Sequence, residues 1–154
     1  MHIYHGQSNA TIHVNSNKNI LYLFDELYDY DFRPSVEISQ FVEGMIVPEM
    51  SFTGVTENLV IAAGGIYPIW DGVGEAWFLG SHHITNNPLS AMRILKRHLH
   101  KIMIDHNFHR IQATTLESYP ASRRWMQFLG MKEEGIMEKF CPYGLDYIRW
   151  ARVL

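Results

Sequence analysis

The chain has 154 residues, 47% of them hydrophobic, which suits a single domain with an apolar core. Its formal net charge of −3 argues against a general nucleic-acid binder, because such proteins usually carry a strong basic excess. The single cysteine cannot form an internal disulfide, and no stretch approaches the roughly 20 apolar residues of a membrane span. The first residues also lack the order of a signal peptide. We therefore expect one domain spanning 1–154, located in the cytoplasm, with no nucleic-acid or membrane partner.

The first part of the chain predicts one strand followed by two helices. Residues 10–14 alternate apolar and polar side chains, which is typical of a strand. Residues 17–28 place apolar side chains at helical spacing, and 35–41 restart a helix after Pro34. Four acidic residues lie at the end of the first helix and just after it: Asp25, Glu26, Asp29 and Asp31. They would suit a cationic partner, or they could keep an aromatic-rich helix soluble.

The middle of the chain predicts three strands. Residues 50–56 alternate moderately, and 59–66 form a continuous apolar run, as expected for a central strand covered on both faces. Asp71-Gly72 is a strong signal for a hairpin turn. Residues 74–80 then form the next strand.

The rest of the chain predicts a long helix, a strand, a short helix and a final hairpin. Residues 88–106 form the long helix, since Pro88 suits the first helical position and Asn86 or Asn87 can cap it. Its apolar stripe consists of Leu89, Met92, Leu95, Leu99, Ile102 and Met103.

Residues 110–117 then predict a strand, and 120–129 predict a short helix that Gly130 ends in a left-handed conformation. Trp125, Phe128 and Leu129 are interpreted as core. Residues 135–140 and 145–153 predict two strands joined by the turn 141–144. The complete order suits one mixed sheet with helices on both faces.

The segment 108–154 resembles the C-terminal half of GCN5-related N-acetyltransferases (GNATs). The resemblance rests on the glycine-ended helix and on the stretches Leu-Gly-Met-x-x-Glu-Gly and Tyr-Gly-Leu-Asp-Tyr. These stretches are similar to the ribosomal-protein and small-molecule branch, and to GNAT-like proteins of tailed phages. The resemblance implies an α/β (α+β) fold: a single GNAT-like domain with a mostly antiparallel sheet of six to seven strands. It also implies acetyl-CoA as co-substrate, held where the strands 75–79 and 110–117 splay apart.

The resemblance further implies that the acetyl-CoA pyrophosphate sits on the N-terminus of the helix beginning at Pro88. Free backbone N–H groups and the helix dipole favour an anion there. The family usually marks this turn with Arg/Gln-x-x-Gly-x-Gly/Ala, whereas the run 81–90 contains neither glycine nor arginine. If the cofactor is kept, its predicted binding residues are Phe78, Leu79, Gly80, Ser81, Thr85, Asn86, Asn87, Ser90, Arg93, Arg97 and Ser122. Alternatively, the basic stripe on this helix is only a solvated face, and the loop no longer holds CoA. The stripe consists of Arg93, Arg97 and Lys101, spaced four residues apart.

An amine must be neutral to attack a thioester, so the predicted site needs a base and an acid for the leaving thiolate. The resemblance implies a carboxylate base on the strand that carries Glu75. His82 or His83, acting through water, is a second candidate, and Glu117 is a third. Glu75 could instead be a solvated residue at a sheet edge.

The acid is often a tyrosine on the short helix in this family. With the family's glycine aligned on Gly130, Met126 takes that place, and methionine cannot donate a proton. The remaining candidates are Tyr119, Ser122, Tyr143 and Tyr147. Release of the thiolate to solvent is the other possibility.

These features predict an N-acyltransferase that moves an acetyl group from acetyl-CoA directly to a primary amine. The amine would belong to a protein N-terminus, a lysine or a small molecule. The alternative is a catalytically inactive GNAT-like module that binds another protein, such as a phage structural or host-directed factor. Its interface anchors would then be Tyr22, Tyr28, Tyr30, Phe32 and Trp70. A homodimer is compatible with both, and no metal site is predicted.

Overall fold

The computed structural model of the protein describes residues 10–13, 44–56, 59–80 and 88–154. The strands are β1 (Ala10–His13), β2 (Ser51–Thr56), β3 (Leu59–Trp70), β4 (Val73–Gly80), β5 (Arg110–Leu116), β6 (Lys132–Met137) and β7 (Tyr147–Val153). The described helices are α1 (Pro88–Asp105) and α2 (Pro120–Phe128). The helices predicted at 17–28 and 35–41, with the acidic residues near them, lie outside the described residues.

The described strands form one sheet in the order β1-β2-β3-β4-β5-β7-β6. The pairs β1–β2, β2–β3, β5–β7 and β6–β7 are antiparallel, and β4–β5 is parallel. The predicted mixed, mostly antiparallel sheet is therefore confirmed. The chain groups into two compact units, the first containing the residues up to Tyr67 together with 77–91, and the second 68–76 together with 92–154.

Among the described residues of the first unit, buried apolar side chains lie on β2 and β3. They are Phe52, Ala62, Ala63 and Ile66. A Cβ added to Gly64 would stand 2.9 Å from both the Phe52 ring and the Trp77 carbonyl oxygen. One added to Gly65 would stand 2.6 Å from the Met50 carbonyl oxygen. At these two positions of the run predicted as a central strand, neighbouring groups approach the backbone too closely for a side chain.

The second unit has its core on α1 and on one face of β5 and β7. The buried residues of that face are Ile111, Ala113, Thr115, Ile148 and Trp150, and Ala151 of β7 is buried as well. Helix α1 contributes the predicted stripe from Met92 to Met103, whereas Leu89, predicted in the same stripe, is exposed. In the described part of the chain, neither helix is long and apolar enough to cross a membrane.

The end of α2 confirms one prediction and corrects another. Gly130 has a φ of +82°, and the N–H of Met131 donates to the Met126 carbonyl at 3.0 Å, which closes the helix in the left-handed manner predicted. Leu129 is buried as predicted. The prediction that Phe128 belongs to the core is wrong: it is 37% exposed, with the Lys96 ammonium 5.0 Å from the centre of its ring.

The final hairpin is present, but both of its strands are shifted. Strand β6 covers Lys132–Met137 rather than 135–140, because pairing with β7 begins at Lys132↔Ala151, directly after the α2 stop. It ends before Lys139, whose φ of +50° leaves the extended conformation. The predicted turn 141–144 is confirmed by a 2.8 Å hydrogen bond from the Gly144 N–H to the Cys141 carbonyl.

Candidate active site

One face of the second unit collects charged side chains. Successive strand residues point to opposite faces, so the buried residues of β5 and β7 leave Arg110, Gln112 and Arg149 on the other face. Glu75 of β4 pairs with Gln112, which places it on the same face. Glu134 of β6 joins them through a salt bridge. We call these five residues the charged face.

Glu75 is held by a contact that crosses β5. Nη1 of Arg149 on β7 donates to Oε1 of Glu75 at 3.1 Å and to Oε2 at 2.9 Å. The Glu75 side chain is 15% exposed and that of Arg149 is 26% exposed. Glu75 is therefore not the solvated edge glutamate that the sequence left open, but a largely buried carboxylate fixed by a permanent cation.

The second ion pair of the charged face has a different geometry. Arg110 donates through Nη1 and Nη2 to the two carboxylate oxygens of Glu134, at 2.9 and 2.6 Å. Its Nε and Nη2 also donate to Oε1 of Gln112. The hydrogen bond from Arg110 holds the pKa of Glu134 below its usual value, and the charge of Arg149 adds to this. The same bond raises the pKa of Arg110, with a further contribution from Glu75, so the two pairs sense each other's charge.

Among the residues that the structure describes, strand β5 has a free edge beside the charged face. Its parallel pairing with β4 covers only Val73↔Arg110, Gly74↔Ile111 and Glu75↔Gln112. Within the second unit, the residues from Ala113 to Leu116 have a strand partner on the β7 side alone. Unpaired backbone N–H and C=O groups on a strand edge can hydrogen-bond an extended ligand.

The predicted cofactor residues are only partly described. Ser81, His82, His83, Thr85, Asn86 and Asn87 lie outside the described residues. Phe78, Leu79 and Gly80 close β4 and are partly exposed. Ser90 lies in the first turn of α1. Arg93 and Arg97 are exposed on α1, and Lys101 forms an ion pair with Asp105.

The candidates for the acid differ in their exposure and in their position in the fold. Tyr143 lies in the turn 141–144 and is 67% exposed. Tyr147 lies on β7 two residues before Arg149, on the same face, with its ring centre 5.4 Å from that of Phe140. Burial raises the pKa of Tyr147, and Cys141 adds to the shift, so its phenol stays protonated. The hydroxyl of Ser122 donates to the Tyr119 carbonyl at 2.7 Å.

The third candidate base is engaged elsewhere. Glu117 accepts a 3.2 Å hydrogen bond from Arg123, which also pairs with Glu133. Among the described residues, neither Ser122 nor Tyr143 is a hydrogen-bond partner of Glu75. The roles of the predicted catalytic and cofactor residues therefore stay predictions.

Arg149 is the site residue that the sequence did not reveal. A signal was present in the sequence, because Tyr147 and Arg149 alternate with the apolar residues Ile148 and Trp150, which puts Arg149 on the face opposite the apolar one. Its pairing with Thr114 could not be known from the sequence, and this register is what brings it within reach of Glu75.

The sequence matches no protein-family model and no curated protein. The structure, in contrast, is similar to solved acetyltransferases. A GNAT-family acetyltransferase from Bacillus anthracis has a TM-score of 0.74 at 19% identity, covering 99% of this chain and 98% of that chain. The ribosomal-protein-S18-alanine N-acetyltransferase from Escherichia coli has a TM-score of 0.74 at 15% identity, covering 94% and 93%.

A variant of the spermidine N-acetyltransferase from Vibrio cholerae has a TM-score of 0.69 at 13% identity, covering 93% of this chain and 94% of that chain. These likenesses span nearly the whole chain. The chain therefore has the GNAT fold, as its closing segment predicted.

Proposed function

We propose that the chain is a GNAT-type N-acetyltransferase that moves an acetyl group from acetyl-CoA directly to a primary amine. The observation that carries the proposal is Glu75. It is a carboxylate only 15% exposed, at the last residue pair of the parallel β4–β5 ladder. In a fold shared with acetyltransferases, a fixed carboxylate beside the free edge of β5 suits a general base.

In this reaction the amine nitrogen bonds to the thioester carbonyl carbon, the carbon–sulfur bond breaks, and the sulfur leaves as a thiolate. Glu75 accepts the proton that the amine loses, directly or through one water. The thiolate is protonated by an acid, for which Tyr147 is better placed than Tyr143, because it shares the face of Arg149. The products are the acetylated amine and CoA.

The free edge of β5 supports binding of acetyl-CoA. Extended ligands can hydrogen-bond such an edge as an added strand would. Phe78, Leu79 and Gly80 would offer backbone N–H groups to the thioester carbonyl. The rest of the cofactor would bind to the loop 81–87, Ser90, Arg93, Arg97 and Ser122. This assignment follows from the family resemblance.

The alternative is a GNAT-like protein-binding module without activity. One observation favours it: Trp70, a predicted interface anchor, is 72% exposed. The resemblance to GNAT-like proteins of tailed phages stays a prediction.

Isothermal titration of the full chain with acetyl-CoA tests the proposal, with ADP as control for simple phosphate binding. We expect micromolar binding, a thermal shift of several degrees and release of CoA when amines are added. Absence of binding at millimolar acetyl-CoA would contradict the proposal and favour the inactive module. Binding without turnover on any amine would show that the fold keeps the cofactor but not the reaction.

A further inference from the structure

We propose that Arg149 determines which amines the protein accepts. It holds Glu75 with one nitrogen and offers its remaining N–H groups to a carbonyl oxygen of the acceptor. The preferred acceptor is then an amine whose α-carbon carries a carbonyl group, as in the α-amine of an amino-acid amide or a peptide. This inference rests on the proposed function, because Glu75 is the base of that reaction.

The hydrogen bonds of Arg149 leave donors to spare. A guanidinium has five N–H donors: one on Nε and two on each terminal nitrogen. Both oxygens of Glu75 face Nη1 alone. The donors on Nε and Nη2 have no acceptor among the residues that the structure describes, although the side chain is only 26% exposed. Such donors need an oxygen partner, supplied by water or by a ligand.

Arg110, on the same face, is a guanidinium in which every nitrogen acts as a donor. Its side chain is also 26% exposed, yet all three of its nitrogens donate to Glu134 or Gln112. Equal exposure with different hydrogen bonding indicates that the open donors of Arg149 do not follow merely from a surface position. They lie directly beside the proposed base.

The geometry of an α-amino carbonyl group fits this pair of contacts. Its nitrogen and its carbonyl carbon are attached to the same α-carbon, so nitrogen and oxygen are close neighbours. Nη1 and Nη2 of Arg149 are attached to one carbon as well. An amine that gives its proton to Glu75 therefore places its carbonyl oxygen towards the donors that Arg149 has free. A simple alkylamine or a polyamine has no such oxygen.

Charge on this face agrees with that acceptor. Glu75 is neutralised by Arg149, and Glu134 by Arg110. Within the charged face, no carboxylate remains without a cation partner. A polyamine would bring a second ammonium group to a surface whose carboxylates are already paired, whereas an α-amino carbonyl compound brings one ammonium and a neutral acceptor oxygen.

The test compares alaninamide with isopropylamine, which has a methyl group where alaninamide has its carboxamide. The kcat/KM for each is measured with the parent, Arg149→Lys and Arg110→Lys. Lysine keeps the positive charge for Glu75 but lacks the planar fork. We expect Arg149→Lys to lower the alaninamide-to-isopropylamine ratio about 10-fold, mainly by raising KM for alaninamide, because one charge-assisted hydrogen bond is lost. Arg110→Lys should leave the ratio unchanged.

Intrinsic differences in amine reactivity cancel, because the same two amines are compared across variants. An equal loss for both amines in Arg149→Lys would overturn the inference, since Arg149 would then only position Glu75. Unchanged kcat/KM values for both amines would overturn it as well.

If neither amine is acetylated, the transferase function fails, and binding alone decides the role of Arg149. Alaninamide is then titrated into the parent chain with ¹⁵N-labelled arginine side chains. A saturable shift of the Arg149 Nε–H signal with alaninamide, absent with isopropylamine, supports the inference. No shift, or equal shifts, overturns it. The same titration tests the proposed role of Arg149 if the Arg149→Lys variant does not fold.

Discussion

The two faces of β5 and β7 consist of alternate residues of the same strands, yet different forces hold them. On the core face, Ile111, Ile148 and Trp150 are at most 1% exposed. On the charged face, Arg110 and Arg149 are each 26% exposed and are fixed by ion pairs. Burial of apolar area is strong and non-directional, whereas partly exposed ion pairs add little energy but fix geometry. We therefore expect the core face to determine stability and the charged face to determine chemistry.

Trp150→Ala should give the largest effect on stability. Its indole fills the core and donates to the Thr115 hydroxyl at 2.8 Å, so truncation leaves a cavity and an unpaired buried hydroxyl. We expect a loss of about 3–5 kcal/mol in the free energy of unfolding, measured by urea denaturation. Trp70→Ala, at a tryptophan that is 72% exposed, should change it by no more than about 0.5 kcal/mol. Similar losses in both variants would contradict the assignment of the core face.

Glu75→Gln should give the largest effect on activity. The amide keeps nearly the same shape but cannot accept the proton of the amine, so kcat/KM should fall about 100-fold or more. That corresponds to about 2.7 kcal/mol in activation free energy. Acetyl-CoA binding should persist, because the changed group is not predicted to contact the cofactor.

The matched control is Glu134→Gln, the other carboxylate of the charged face, which should keep parental kcat/KM. Full activity in Glu75→Gln would remove Glu75 as the base. Equal losses in the two variants would show that the charged face acts as a whole rather than through one carboxylate.

The apolar stripe of α1 could be predicted from the sequence, whereas the charged face could not. Helix periodicity identifies Met92, Leu95 and Leu99 as apolar positions without knowledge of partners, and all three are buried. Gly130 likewise signals a helix end by its local conformational freedom. Periodicity alone does not distinguish Phe128, which is exposed, from its neighbour Leu129, which is buried.

The contact between Glu75 and Arg149 joins residues 74 positions apart and depends on strand register. One residue of slip would turn Arg149 to the core face. The sequence gives charges and spacings along the chain, but register across β5 is set by packing of the other face. This is why Glu75 could be proposed from the family resemblance while its partner could not.

Gly130→Ala should give an intermediate effect on stability alone. A Cβ there would stand no closer than 3.9 Å to Arg152, so space is available and the cost is that of the left-handed backbone. We expect a loss of about 1–2 kcal/mol in the free energy of unfolding. Because the residue joins Leu129 and Met131, both in the core, kcat/KM should not change. Gly130→Asn should be milder, since asparagine tolerates this conformation. A loss of activity at parental stability would contradict the division between the faces.

Glu134→Gln should give the smallest effect, and its pH dependence tests whether the charged face adds to stability. Since Arg110 lowers the pKa of Glu134 in the folded chain, its contribution is present above the unfolded pKa and is lost as pH falls through the folded pKa. The Glu134 side chain is 40% exposed, so we expect a difference from the parent of at most a few tenths of a kcal/mol near pH 7. This difference in the free energy of unfolding should vanish in acid and shrink in high salt, as followed by urea denaturation across pH.

A difference that grows as pH falls would show that the pKa of Glu134 is raised rather than lowered by folding. A loss above about 1 kcal/mol would mean that ion pairs on this face hold the sheet together rather than only setting its geometry.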